Sequence, residues 1–328
     1  MNGWQAILSE FPMLQTAWDI LSVTVPLSML LAYSGIFFIS SVAKIFSITR
    51  KRIIFDKCAR QLALLGVIMG WLLLIGSRVW LYYNQKPSAE GGLESFILES
   101  SWILLSLGVL LSTIYYTCWK LLKNMPTLHS TVGAISGTQN CLALICVLVA
   151  TRLYTYPVKP DASAVLVPDL FPDVWNDPLW TAAVATLPLI FATAGAFGAA
   201  WLAFRRKKDD FGRDYYNKTL PWTTAWAKNA WAILWLILLF SGGYELWQIY
   251  QAPSPDSEAA ILVGCQILLW IIPFLLWTIV YKSPTPLRHR WALYLGLILA
   301  ISYALSYYLE ICAIPRADIL PENADPNI

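Results

Sequence analysis

Charge is scarce in this chain. Asp, Glu, Lys and Arg make up 13 % of its 328 residues, against roughly a quarter in ordinary soluble domains. That scarcity, beside 58 % hydrophobic residues, excludes a soluble globule and points to the bilayer. Histidine is scarcer still, with two residues, His129 and His289. The six cysteines form no CxxC and no paired framework, so they are expected to be apolar packing residues. There is no Walker A, GxGxxG, HExxH or GxSxG motif and no soluble domain, which argues against a self-contained enzyme. The small net charge of +3 gives no sign of a nucleic-acid partner.

Eight apolar segments remain, over residues 20–46, 61–83, 96–121, 129–153, 179–204, 225–249, 259–281 and 291–313. Each is long enough for the roughly twenty residues a spanning helix needs. None alternates with period two, which excludes a barrel. The expected fold is therefore an all-α integral membrane protein with eight transmembrane helices. The N-terminus lacks a basic n-region and carries Glu10, so no signal peptide is expected. Trp4, Ile7, Leu8, Phe11, Leu14 and Trp18 predict an amphipathic segment over residues 1–19 at the membrane surface.

Alternate loops carry opposite charge. Arg50, Lys51, Arg52, Lys57 and Arg60 follow span one, Lys120 and Lys123 follow span three, RRKKDD from Arg205 follows span five, and Lys282, Arg288 and Arg290 follow span seven. The other loops hold Glu90, Glu94, Asp161, Asp169, Asp173, Asp177, Asp256 and Glu258, with Lys86 and Lys159 as the main exceptions. The positive-inside rule places the basic loops in the cytoplasm and both termini outside. The expected location is the cell's inner, cytoplasmic membrane.

The chain also resembles itself. LLLIGSRVWLYYNQKPS (Leu72–Ser88) aligns without gaps with LLFSGGYELWQIYQAPS (Leu238–Ser254). TIYY at Thr113 matches TIVY at Thr278, and KNMPTLH (Lys123–His129) matches KSPTPLRH (Lys282–His289). The ordered series predicts two tandem four-helix repeats in parallel orientation, over residues 20–156 and 179–314. An outer loop over residues 157–178 separates them, and an outer tail follows over residues 315–328.

The paired histidines raise a cofactor question. Brought together near the pseudo-twofold axis, His129 and His289 are the axial ligands expected of one b-type haem, the only metal the sequence suggests. Singly, either is a hydrogen-bond partner for a quinone carbonyl. The bland alternative is two interfacial histidines facing headgroups. In span four, His129, Gly133, Ser136, Gly137 and Asn140 share one helical face, so that face is expected to point inward, with Asn140 at a ligand or helix contact. Arg78 and Glu245 lie at similar depth in the two repeats and are expected to form a structural charge pair.

The first hairpin, from Val25 to Arg78, resembles the opening helices of membrane subunits similar to subunit I of bd-type oxidases. The resemblance rests on a long helix, a basic turn with Asp56, Lys57, Ala59 and Arg60, and a helix with Gly66 and Gly70. It implies a respiratory-chain setting. Those subunits ligate haem through histidines in their early helices, and spans one and two here contain none, so no ligand residue carries over. The leading expectation is a multi-pass subunit of an electron-transfer assembly, without catalytic activity of its own, binding quinone or one haem beside other subunits in the bilayer. The alternatives are a transporter with a site between the repeats, built from Arg78, Glu245, Asn140 and Gln139, and a membrane scaffold or assembly factor.

Overall fold

A computed structural model of the chain describes residues 12–83, 93–155, 178–251 and 257–313. The outer loop and the C-terminal tail expected from the sequence, and most of the N-terminal amphipathic segment, lie outside the described residues. Among the described residues the fold is helical, without strands. The helices are α1 (Pro12–Thr49), α2 (Ile53–Tyr83), α3 (Leu93–Thr117), α4 (Pro126–Thr155), α5 (Pro178–Arg205), α6 (Arg213–Gln251), α7 (Ser257–Leu269), α8 (Ile272–Lys282) and α9 (Arg290–Ala313). Short 3-10 turns over Leu121–Asn124 and Pro286–His289 lead into α4 and α9.

Eight stretches of these helices are long and apolar enough to cross a membrane, and α7 and α8 together make the seventh. Continuous helix is the expected outcome, because hydrocarbon offers no partner to a free backbone N–H or C=O. At about 1.5 Å per residue, the 38 residues of α1 and 39 of α6 exceed a hydrocarbon core of about 30 Å.

Two helices form the centre. The membrane windows of α1 and α5 are 61 % and 72 % buried, whereas that of α6 is 6 % buried. Small residues bring the central pair close. A Cβ on Gly35 would lie 2.7 Å from the Ile190 carbonyl oxygen and 2.8 Å from the Ala194 methyl, so only glycine admits α5 at this distance. Gly195 meets the backbone of Ala227 in the same way and seats α6 on α5.

Around that pair, α1 packs on α2 and α4, and α3 closes a ring by packing on both α2 and α4. In the second half α5 packs on α6 and α9, and α8 closes the ring by packing on α6 and α9. The two rings differ in content. Serine, threonine, tyrosine and asparagine fill the first, while Trp231, Trp270, Trp277 and Tyr303 pack edge to face or tilted in the second, at centroid distances of 4.8–6.3 Å.

Span seven is interrupted at Trp270 and Ile271, just ahead of Pro273 near the start of α8. Proline lacks the N–H that would continue the ladder. The carbonyls exposed by the interruption are taken by indoles one turn apart on α6. Trp231 Nε1 donates to the Trp270 oxygen at 2.7 Å, and Trp235 Nε1 donates to the Ile267 oxygen at 3.0 Å. Pro188, the other midspan proline, leaves α5 continuous.

Candidate functional site

The buried polar groups concentrate in the first helix ring. At the basic end of the bundle, the buried Lys44 on α1 meets Asp56 on α2 at 2.5 Å. Lys44 is the only charged residue between residues 20 and 49, and a lone ammonium among apolar side chains requires such a partner. The second carboxylate oxygen of Asp56 accepts from Trp119 Nε1 at 3.4 Å, and Lys44 Nζ lies 4.7 Å from a Trp119 ring centroid.

His129 sits behind this pair and is fully buried. Its ring packs 4.5 Å from both Tyr115 and Trp119. Nε2 donates to the Tyr115 carbonyl at 2.8 Å. Tyr115 lies in the last turn of α3, where carbonyls run out of intrahelical partners, so the imidazole caps that helix end. A carbonyl only accepts, which assigns the proton to Nε2 and leaves Nδ1 of the neutral ring a bare acceptor. Nδ1 is buried without a hydrogen-bond partner, as is the hydroxyl of Ser41 one helix away.

Further along α4 the hydroxyls connect. Ser136 bonds Ser112 at 2.9 Å, and Ser112 bonds the Tyr33 hydroxyl at 2.9 Å. Asn140 Nδ2 donates to the Tyr33 carbonyl at 3.4 Å, while its Oδ1 rests against Gly108 without a partner. Ser40 bonds the Tyr115 hydroxyl at 3.1 Å, and Ser130 donates to the Ser41 carbonyl at 2.8 Å. His129, Gly133, Ser136, Gly137 and Asn140 are all buried, as their helical spacing predicts. Gly133 abuts Ser41 and Tyr115, and Gly137 abuts Phe38, so both glycines face neighbouring helices. Gln139 reaches sideways, with Nε2 donating to the Leu104 carbonyl at 3.2 Å.

Other expected site residues fall elsewhere. His289 is half-buried on a turn that packs against α6, α8 and α9, whereas His129 is enclosed by Tyr115 of α3 and Trp119 just beyond that helix. A haem does not fit this arrangement. The Nε2 that would bind iron is committed to a carbonyl, and two aromatic rings flank the imidazole where a porphyrin would lie. The same committed proton leaves His129 no N–H for a quinone carbonyl. Among the described residues no three His, Cys, Asp or Glu side chains form a metal-binding group.

The Arg78–Glu245 pair is also absent. Arg78 is exposed with its guanidinium 4.3 Å from the Trp102 ring centroid, and Glu245 is exposed on α6. Similar depth did not make them neighbours: α2 and α6 touch near the basic end of the bundle, through Gln61 and Tyr215, and Arg78 turns to Trp102 instead. The ion pairs among the described residues are Lys44–Asp56 and Arg205–Asp209. The second anchors a clasp between the halves. Gln61 on α2 donates to Asp209 at 3.1 Å and accepts from the Tyr215 hydroxyl at 2.6 Å.

No protein-family model matches the chain, and no curated protein matches it.

Proposed function

We propose that this chain is a multi-pass subunit of an electron-transfer assembly in the cytoplasmic membrane, and that its first four helices conduct protons within that assembly. The observation that carries the proposal is the polar column that begins at the half-exposed Asp56 and continues through the buried Lys44, His129, Ser41, Ser136, Ser112, Tyr33 and Asn140. Polar side chains at this depth are costly and commonly line proton or ion routes. Hydroxyls suit a relay because each donates and accepts. Ser41 Oγ and His129 Nδ1 are buried along this column without a hydrogen-bond partner, and polar groups so placed are the kind that buried water joins. In this reading the basic end faces the cytoplasm, both termini lie outside, and partner subunits hold the redox centres. The resemblance of the first hairpin to bd-type oxidase subunits supports a respiratory setting.

Two tandem four-helix repeats explain the architecture. The sequence matches run in the same order in both halves, the helix rings close through corresponding neighbours, and α1 meets its counterpart α5 at the centre. On that account His129 and His289 are copies of one ancestral position, and only the first became interior.

One observation favours transport instead. Interrupted spans carry free carbonyls to bound ions in many transporters, and span seven is interrupted. Here, however, Trp231 and Trp235 already occupy two of the carbonyls at the interruption, and Arg78, Glu245, Asn140 and Gln139 face different neighbours.

The test is purification from native membranes in mild detergent, followed by a reduced-minus-oxidised spectrum and proton uptake in vesicles. Redox-active partners should copurify, with the spectrum unchanged in His129→Ala. Donor-driven proton uptake should slow in Ser136→Ala and stay unchanged in Thr138→Ala, whose side chain is on the exposed face of α4. A chain that purifies without a redox partner removes the electron-transfer reading. Unaltered uptake in Ser136→Ala removes the proton route.

A further inference from the structure

We propose that the α1–α2 turn, with the adjoining ends of α2, α3 and α4, is a docking site for anionic phospholipid headgroups. The turn consists of Arg50, Lys51 and Arg52, all exposed. Lys51 has φ +48°, in the left-handed region that side chains other than glycine adopt only at a cost. The turn is closed by hydrogen bonds from Arg50 N to the Phe46 oxygen and from Arg52 N to the Ser47 oxygen, at 3.0 and 3.2 Å. Three cations are thereby held in consecutive positions. Lys57 and Arg60 on α2, with Lys120 and Lys123 before α4, bring the exposed cations of these segments to seven.

The charge is uncompensated. Asp56 is the only acidic residue between residues 44 and 60 or between 117 and 130, and it is engaged by Lys44 and Trp119. The corresponding region of the second half differs. Arg205 pairs with Asp209, and Asp210 and Asp214 stand among its remaining cations. Aromatic rings support three of the first-half cations. Arg50 lies over Phe46 at 4.7 Å, Lys57 over Phe211 at 4.6 Å and Arg60 over Tyr116 at 5.9 Å. Such contacts restrain the cations and reduce the ordering cost of binding an anion.

Position decides the occupant. These residues lie at the ends of membrane-spanning helices, the level of lipid phosphates, where clustered Lys and Arg attract anionic lipids. Repulsion among the turn cations falls when a phosphodiester lies between them. The inference stands apart from the electron-transfer reading and rests on the helices crossing a bilayer.

The experiment uses the full chain in mild detergent, with added phosphatidylglycerol, phosphatidylcholine or inorganic phosphate as probe. Bound lipid is counted by native mass spectrometry and stability by thermal unfolding. Phosphatidylglycerol should be retained and should raise the melting temperature. The variant Arg50→Gln/Lys51→Gln/Arg52→Gln should lose several-fold in retention, and the equally discharged Arg206→Gln/Lys207→Gln/Lys208→Gln should not. Because the turn also orients the chain in the membrane, Lys57→Gln/Lys120→Gln/Lys123→Gln is the second variant, with a smaller loss expected. Equal retention by all three variants overturns the site. Equal stabilisation by phosphatidylcholine or by inorganic phosphate overturns its assignment to an anionic lipid.

Discussion

The imidazole of His129 closes the end of α3 by donating from Nε2 to the Tyr115 carbonyl across 2.8 Å. This bond ties the first turn of α4 to the last turn of α3, with Trp119 packed on the same ring. His129→Ala removes a capping donor and opens a hole between two aromatic rings. A loss of about 2–4 kcal/mol follows from cavity formation and an unpaired buried carbonyl. His289→Ala, on a half-buried turn, is expected within about 0.5 kcal/mol of wild type. Denaturant or thermal unfolding in detergent separates the two. Equal losses would mean that the repeat position matters more than the cap.

Lys44 and Asp56 are unequal partners, with side chains 6 % and 35 % exposed. Asp56→Asn strands an ammonium among buried side chains, a loss of about 3–5 kcal/mol. Lys44→Met leaves a carboxylate that can recover water, so its cost is smaller. The double variant should be more stable than Asp56→Asn alone. A double-mutant cycle in thermal unfolding measures the coupling, and additivity of the single losses would show that the pair is not coupled.

Much of this was legible in the sequence because hydropathy and periodicity are local signals. The eight spans follow from apolar length, and the buried face of α4 follows from spacing alone. What stayed hidden depends on neighbours. Lys44 is the one charged residue of span one, but its role depends on a partner across a turn that the sequence does not orient. His129 and His289 share a local motif, but burial was decided by Trp119 and Tyr115 around one and by an open turn under the other. Equal depth of Arg78 and Glu245 suggested a pair, but both side chains are exposed and Arg78 lies on Trp102. Pro273 marked span seven as breakable, while the two indoles that cap the interruption lie some thirty-five residues upstream.

Gly108 and Asn140 fit together as a pair. A Cβ on Gly108 would overlap Asn140 Oδ1, so Gly108→Ala forces the amide aside and disturbs its bond to the Tyr33 carbonyl. Overpacking of this kind costs about 1–3 kcal/mol. Asn140→Ala should largely rescue Gly108→Ala, because it removes the clashing oxygen. The rescue is read as a melting temperature of the double variant above that of Gly108→Ala. A double variant less stable than either single one would place the clash elsewhere.

Trp231 and Trp235 make the interruption of span seven tolerable. Trp231→Phe keeps the ring between Trp277 and Tyr303 but removes the donor to the Trp270 carbonyl, leaving a buried acceptor without its indole. The expected loss is about 1–3 kcal/mol. Trp235→Phe should cost less, because Trp235 is only partly buried and water or headgroups can replace its donor. Pro273→Ala supplies a backbone N–H where none existed, so α7 and α8 can approach one continuous helix. In that background the Trp231→Phe loss should shrink, since a regular helix returns the Trp270 carbonyl to the N–H of Phe274. Amide hydrogen exchange at Trp270 and Ile271 reports the change directly. Faster exchange in Trp231→Phe and slower exchange after Pro273→Ala are expected. Identical exchange in all three proteins would mean that the indoles pack against the interruption without holding it.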